Sequence, residues 1–209
     1  NLGVALIGRD PDRAAPLFQA ALKEKPNYIL AHINLGLVRI AQDRPEDGRR
    51  LLKRAVALEP GRAQSHHWEA VGLSRIGDSS AALVAAERSV RLDPENAAYR
   101  MLAGQLAQKE GDFPRSAQHL SVVARRAPLA SALGFSYGFA LQKSGKNEAA
   151  VAEYRRFLKR EPDHVQVRFN VGFALMTLGR CAEARAEFRR VLELRPSYAE
   201  AQRWLDHCR

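Results

Sequence analysis

The side chains best equipped for chemistry in this chain are two adjacent histidines, His66 and His67, and two cysteines, Cys181 and Cys208. Neither pair has the spacing that catalysis or metal binding needs. Neighbouring residues on a helix point about 100° apart, so His66 and His67 do not share a ligand position and read as surface histidines. Two cysteines far apart in sequence make neither a disulfide framework nor a zinc ligand set. Two free thiols are expected, with a bond stapling the last helix as the alternative. The chain carries no H-E-x-x-H, no G-x-S-x-G, no phosphate-cradling glycine loop and no Cys-x-x-Cys. Catalysis needs convergent groups, so the expectation is a non-enzymatic chain with no catalytic residue, no metal and no cofactor.

What remains is a scaffold, and its composition bounds the kind. With 209 residues, 46% of them hydrophobic, and a mean hydropathy of −0.34, the chain has enough apolar residues for a sizeable core. No apolar run approaches the roughly 18 residues a membrane helix needs, and no signal segment opens the chain. A soluble cytoplasmic or periplasmic protein is expected. The opening NLGVAL reads as the middle of a helix and suggests a fragment of a longer chain. Thirty-three Lys and Arg against 23 Asp and Glu give a net charge of +10 and a pI near 10.1. That charge is compatible with nucleic acid, anionic lipid or an acidic protein as partner.

The organisation emerges from the prolines. Pro26, Pro60, Pro94, Pro128, Pro162 and Pro196 are each 34 residues apart. Eight residues before each stands Phe18, Leu52, Ala86, Leu120, Tyr154 or Phe188, and four before that Ala14, Gly48, Ala82, Ser116, Ala150 or Ala184. A second small column holds Gly36, Ala70, Gly104, Gly138 and Gly172, and turn glycines recur at 77, 111, 145 and 179. These columns predict helical hairpins. Small residues let two antiparallel helices approach, the bulky residue fills the space beside them, and glycine ends the first helix in a left-handed cap. Proline, lacking an N–H, stops the second helix. Asn27, Glu95, Asp163 and Ser197 stand where short polar side chains would cap the next one.

The pattern resembles the tetratricopeptide repeat, with its signature of W-x2-L-G-x2-Y, A-x3-F and P. A-x3-F/Y stands at Ala14 to Phe18, Ala150 to Tyr154 and Ala184 to Phe188. The L-G pair stands at Leu2-Gly3, Leu35-Gly36 and, more loosely, Val171-Gly172. The leading Trp is replaced by His32, His66, Arg100, Gly134 and Arg168, and Glu69-Ala70 replaces one Leu-Gly. The resemblance implies an all-α fold, a right-handed α-α superhelix (solenoid) of 34-residue helix-turn-helix units whose first helices line the concave side. The expected divisions are a truncated unit over 1–26, full units over 27–60, 61–94, 95–128, 129–162 and 163–196, and a capping helix over 197–209, together forming one repeat domain.

Family ligands meet the first helix, which directs attention to its fifth and ninth positions. These are Ile33, His67, Met101, Phe135, Phe169 and Arg203, and Leu37, Val71, Gln105, Phe139, Phe173 and His207. The groove is expected to be apolar, and aromatic toward the C-terminus. Phe135 with Phe139, and Phe169 with Phe173, share helix faces at i, i+4 and form the preferred anchor for a partner peptide or helix. Met101 and Met176 add adaptable surface. The alternative is that these rings are core between first helices or beneath the closing helix. Asn34 and Asn170 resemble part of an asparagine ladder that holds peptide backbone, and Arg75, Lys109 and Lys143 form a basic row at the same step. No unit offers the Lys and Asn pair of the carboxylate-clamp branch, so chaperone tails are not the expected ligand.

Most arginines fall on second helices, among them Arg49, Arg50, Arg54, Arg155 and Arg190, interleaved with Glu46, Glu153, Glu187 and Glu193. A solvated outer face accounts for them. A nucleic-acid-binding array is disfavoured because no aromatic side chains interleave with the basic ridge. The preference for Arg over Lys fits a GC-rich bacterial genome. The expectation is a protein-protein interaction scaffold with a protein or peptide partner. The competing reading is the recognition arm of a larger enzyme, such as a glycosyltransferase, whose catalytic domain lies elsewhere.

Overall fold

The computed structural model describes residues 10–126 and 131–208. Expectations placed on Leu2-Gly3, Pro128 and the opening NLGVAL lie outside the described residues. Twelve α-helices and no strand occur among the described residues: α1 (Pro11–Glu24), α2 (Ile29–Ala41), α3 (Pro45–Leu58), α4 (Ala63–Arg75), α5 (Ser79–Leu92), α6 (Ala97–Lys109), α7 (Phe113–Arg126), α8 (Ser131–Lys143), α9 (Asn147–Leu158), α10 (Val165–Thr177), α11 (Cys181–Leu194) and α12 (Ala199–His207). They pack as consecutive neighbours, α2 on α3 and α4 on α5 in one compact unit (1–110), and α8 on α9 and α10 on α11 in another (111–209).

The helix bounds follow from turn chemistry. Gly77, Gly111, Gly145 and Gly179 sit at φ of 87°, 78°, 77° and 73°, the left-handed region that glycine enters without steric cost. The equivalent position of the first full hairpin holds Asp43 at φ 58°, one of the few side chains that tolerates it. Inside the hairpins the small column permits backbone contact. A Cβ on Gly48 would lie 2.7 Å from the Gly36 carbonyl oxygen, and one on Gly138 would lie 2.5 Å from Tyr154 Cε1.

Two sequence expectations change. The helices begin one residue later than foreseen, so the preceding residues are Tyr28, Asn96, His164 and Tyr198 and not Asn27, Glu95, Asp163 and Ser197. Asn96 Oδ1 accepts from the Ala98 and Tyr99 N–H groups, and His164 Nδ1 accepts from Val167 N. Asn27 and Asp163 instead reach the second helix of their own repeat, accepting from Arg54 at 3.1 Å and Arg190 at 2.8 Å. Nor are the histidines all superficial. His32 and His66 are buried, and each Nε2 bonds the carbonyl oxygen of the proline six residues earlier, Pro26 at 2.8 Å and Pro60 at 2.9 Å. Arg100 Nε and Arg168 Nε donate to Pro94 and Pro162 in the same register. In these four repeats the position that the repeat signature gives to Trp is thus held by a different N–H donor, and a carbonyl can only accept, so Nε2 of both histidines carries the proton.

In the first unit the core runs from Ala14, Phe18 and Val38 through Ile33, Leu52 and Ala55 to Ala70, Ala86 and Ala103. In the second it gathers Tyr154, Val171, Leu175, Phe188, Val191 and Ala201. The two thiols are free and adjacent. Cys208 is buried with Cys181 packed against the same core and hydrogen-bonded to it, and burial first, then that bond, pushes the Cys208 thiol up to about 11.

Candidate functional site

Within the second unit, α8 and α10 are successive first helices, and between them lies a cavity of about 410 Å³. Phe139 and Lys143 border it from α8, and Phe169, Asn170, Phe173 and Thr177 from α10. Each of these three rings is half-buried, resting on other aromatics and leaving an edge toward the cavity. Phe139 meets Phe113 edge-on at 5.7 Å between centroids, Phe169 meets Tyr198 at 5.1 Å, and Phe173 meets Trp204 edge-on at 5.4 Å. Offset and edge-on pairs of this kind fix ring orientation beyond simple area burial. Lys143 Nζ stands 5.6 Å from the Phe139 centroid, within cation–π range.

Phe135 stacks on Phe139 at 6.3 Å and approaches His164, but does not border the cavity. Met176 packs against the core of this unit. Asn170 is 8% exposed and its amide is already engaged: Nδ2 donates to Tyr154 Oη at 3.3 Å and Oδ1 accepts from Gln166 at 3.2 Å. Tyr154 Oη donates in turn to Gln142 Oε1 at 2.9 Å, and Gln142 Nε2 donates to the Asn170 carbonyl. Burial pushes the Tyr154 hydroxyl far above its ordinary value, outweighing the opposing bond from Asn170. The amide therefore helps hold the wall of the cavity in shape, with one donor and one acceptor site engaged within the protein.

In the first unit Ile33 and Leu37 lie in the core with Leu52, against which Trp68 and Val71 of α4 pack, and Ile33 also borders, with Asn34 and Trp68, a cavity of about 320 Å³. Asn34 is half-buried on α2, Met101 is 38% exposed on α6, and Arg75 and Lys109 are exposed at the ends of α4 and α6. His67 lies among Trp68 and Tyr99 at centroid distances of 5.3 and 4.8 Å, and burial lowers its pKa.

Sequence reasoning missed Tyr198 and Trp204 as supports of Phe169 and Phe173. Their signal was a closing helix that must cover the last repeat and so carries aromatics on its inner face. Among the described residues no group of three or more His, Cys, Asp or Glu is placed to hold a metal ion. No helix of the structure is long and apolar enough to cross a membrane.

Helical hairpins at a constant 34-residue step, with a lined cavity between successive first helices, define a helical-repeat protein. More narrowly, the chain belongs to the tetratricopeptide repeat family, whose models match residues 5–70, 68–131 and 139–199. A curated relative, tetratricopeptide repeat protein 8 of Homo sapiens, is 31% identical over 109 residues, which is 52% of this chain and 20% of that protein. The chain thus spans about a fifth of that relative's length. Among solved structures, "YrrB: a TPR protein with an unusual peptide-binding site" aligns with a TM-score of 0.80 at 16% identity, covering 89% of this chain and 96% of that one. MamA from Desulfovibrio magneticus RS-1 aligns at 0.67 and 18% identity over 81% and 96%. The C-terminal part of a repeat protein from Cytophaga hutchinsonii aligns at 0.73 and 13% identity over 99% and 83%.

Proposed function

We propose that this chain is a non-catalytic interaction scaffold that holds a peptide or helix of a protein partner against the first helices of its second unit. The observation that carries this reading is the cavity between α8 and α10, bordered by the edges of Phe139, Phe169 and Phe173 with a cation at one end. Three rings positioned by Phe113, Tyr198 and Trp204 offer a preorganised apolar anchor site, so an incoming side chain meets surfaces already ordered. Lys143 would favour an acidic group beside the anchor. The peptide-binding relative described above has the same fold, which supports the class of function without specifying the ligand.

The test is selection of displayed peptides on the full chain, followed by titration of the selected peptides against wild type and Phe173→Ala. Peptides centred on a bulky apolar residue are expected, with affinity falling about tenfold or more on loss of the ring, as for a buried aromatic anchor. Selected peptides that bind Phe173→Ala unchanged would remove the cavity from the reading.

A further inference from the structure

A second groove, in the first unit, lies on the side of the second helices. It has a volume of about 540 Å³, with α4 at its base and α3 and α5 as its walls. Its rim carries Arg49, Lys53, Arg88 and Arg91, and its floor Leu73, Ala81, Val84 and Ala85. Val84 is 64% exposed, a large apolar side chain open to solvent among the rim cations.

The significance lies in the comparison with other repeats at the same register. One repeat earlier, Asp47 pairs with both Arg44 and Arg50. Thirty-four residues on, Asp47 and Arg50 are replaced by Ala81 and Val84, so an ion pair along the helix becomes an apolar strip. Three repeats later, Arg155 pairs with Glu183 at 2.9 Å, Arg168 with Glu187 at 2.8 Å, and Arg190 with both Asp163 and Glu193 at 2.8 Å. The cations recur in the groove as Lys53 and Arg88, equivalent to Arg155 and Arg190. The acids do not: Asp163, Glu183, Glu187 and Glu193 correspond to Gly61, Ala81, Ala85 and Arg91. Lys53, Arg88 and Arg91 have no carboxylate within ion-pair distance among the described residues. Arg49 keeps Asp78 at 3.1 Å. One acid does face the groove, Glu69, beside the His66 ring at 3.9 Å; burial raises its carboxyl pKa, against the opposing charges of His66, Lys53 and Arg49, so part of the charge of Lys53 and Arg49 is already offset while Arg88 and Arg91 stand apart from it.

From this register comparison we infer that the groove between α3 and α5 is a docking site for an acidic peptide segment carrying an apolar side chain. The carboxylates take the places of the missing acids, and the apolar side chain covers Val84 and Ala81. Charge complementarity selects the sign of the partner, and the apolar floor selects peptide over nucleic acid, which needs aromatic platforms or a continuous phosphate track. This face is distinct from the cavity between α8 and α10, so each can fail without the other.

The experiment is fluorescence anisotropy of a labelled synthetic peptide of alternating Glu and Gly with a central Leu, titrated with the full chain. Ala81→Glu/Arg91→Glu restores the acids of the equivalent repeat, with circular dichroism confirming that the variant is folded. Arg88→Gln/Arg91→Gln is a second variant that removes charge without adding any. Saturable binding is expected that weakens about tenfold in the acid-restored variant and severalfold in the neutral one. Replacing the peptide's Leu by Gly, or its Glu by Gln, should weaken it likewise, and Phe173→Ala should leave it unchanged. Equal binding by wild type and both variants, no saturable binding of the peptide, or equally tight binding of a single-stranded oligonucleotide of the same charge would each overturn the inference.

Discussion

Removing one hydroxyl, by Tyr154→Phe, should loosen the wall of the cavity between α8 and α10 while leaving the three rings that border it unchanged. Tyr154 is fully buried, and its hydroxyl joins Gln142 at 2.9 Å to Asn170 at 3.3 Å. Phenylalanine fills the same volume, so no void opens beside Gly138, and the change isolates the hydrogen bonds. The Gln142 amide is half-buried and can recruit water, whereas the Asn170 Nδ2 is left without its partner in a residue only 8% exposed. One lost bond plus one poorly hydrated donor costs about 1–2 kcal/mol. For a chain of this length that corresponds to a fall in melting temperature of about 2–8 °C.

The hydroxyl also titrates. Its folded pKa lies above its unfolded one, so its contribution is complete below about pH 10, the unfolded value, and is lost progressively as pH rises from there toward the higher folded one. Wild type should therefore lose stability on the alkaline side more steeply than Tyr154→Phe. Thermal melts by circular dichroism at neutral pH and at successive alkaline values provide the assay, with Tyr28→Phe, an exposed tyrosine, as the neutral control. A Tyr154→Phe protein that melts with wild type at neutral pH, or shows the same alkaline slope, would refute the reasoning.

Gly48→Ala should destabilise despite the helix propensity of alanine. The new Cβ meets the Gly36 carbonyl oxygen at 2.7 Å, and overpacking of about 1–3 kcal/mol outweighs a propensity gain of about 1 kcal/mol. Gly61→Ala, with open space around it, serves as the contrast in the same chemical denaturation series. A thiol-exchange reagent near neutral pH should modify Cys181 well before Cys208, whose burial and raised pKa keep it protonated, and denaturant should abolish the difference, read by mass spectrometry.

The fold was legible because its constraints are steric and repeat at a fixed step. The column of Gly36, Gly138 and Gly172 lies against Leu52, Tyr154 and Phe188, as small-against-bulky spacing implies. The candidate site was legible in part. Residues i and i+4 on one helix face are predictable, which is how Phe139, Phe169 and Phe173 were found, but whether a half-buried ring borders a cavity depends on what the next helix places beside it. Phe135 differs from those three only in such neighbours. The surroundings of Asn170 were not legible for another reason: an amide has four hydrogen-bonding sites, and nothing local reveals that Tyr154, sixteen residues earlier, has taken one. The capping residues were displaced because an exposed Asn or Asp after proline has two suitors, the next helix and an arginine of the following one. In Asn27 and Asp163 the arginine wins.

The bond from His32, His66, Arg100 and Arg168 to the carbonyl of a proline six residues earlier has a consequence for how such repeats diverge. What the position supplies in those four repeats is a single proton delivered at a given reach, and an indole, an imidazole and a guanidinium can all deliver one, whereas Gly134 has no side chain to do so. Selection acting there would see one donor and remain blind to ring size, aromaticity and, at the exposed arginines, charge. The position is free to drift among three unlike side chains while the loop it fastens stays in place. A search keyed to tryptophan would therefore pass over most of this array, and a substitution matrix would score as radical an exchange that the molecule hardly registers.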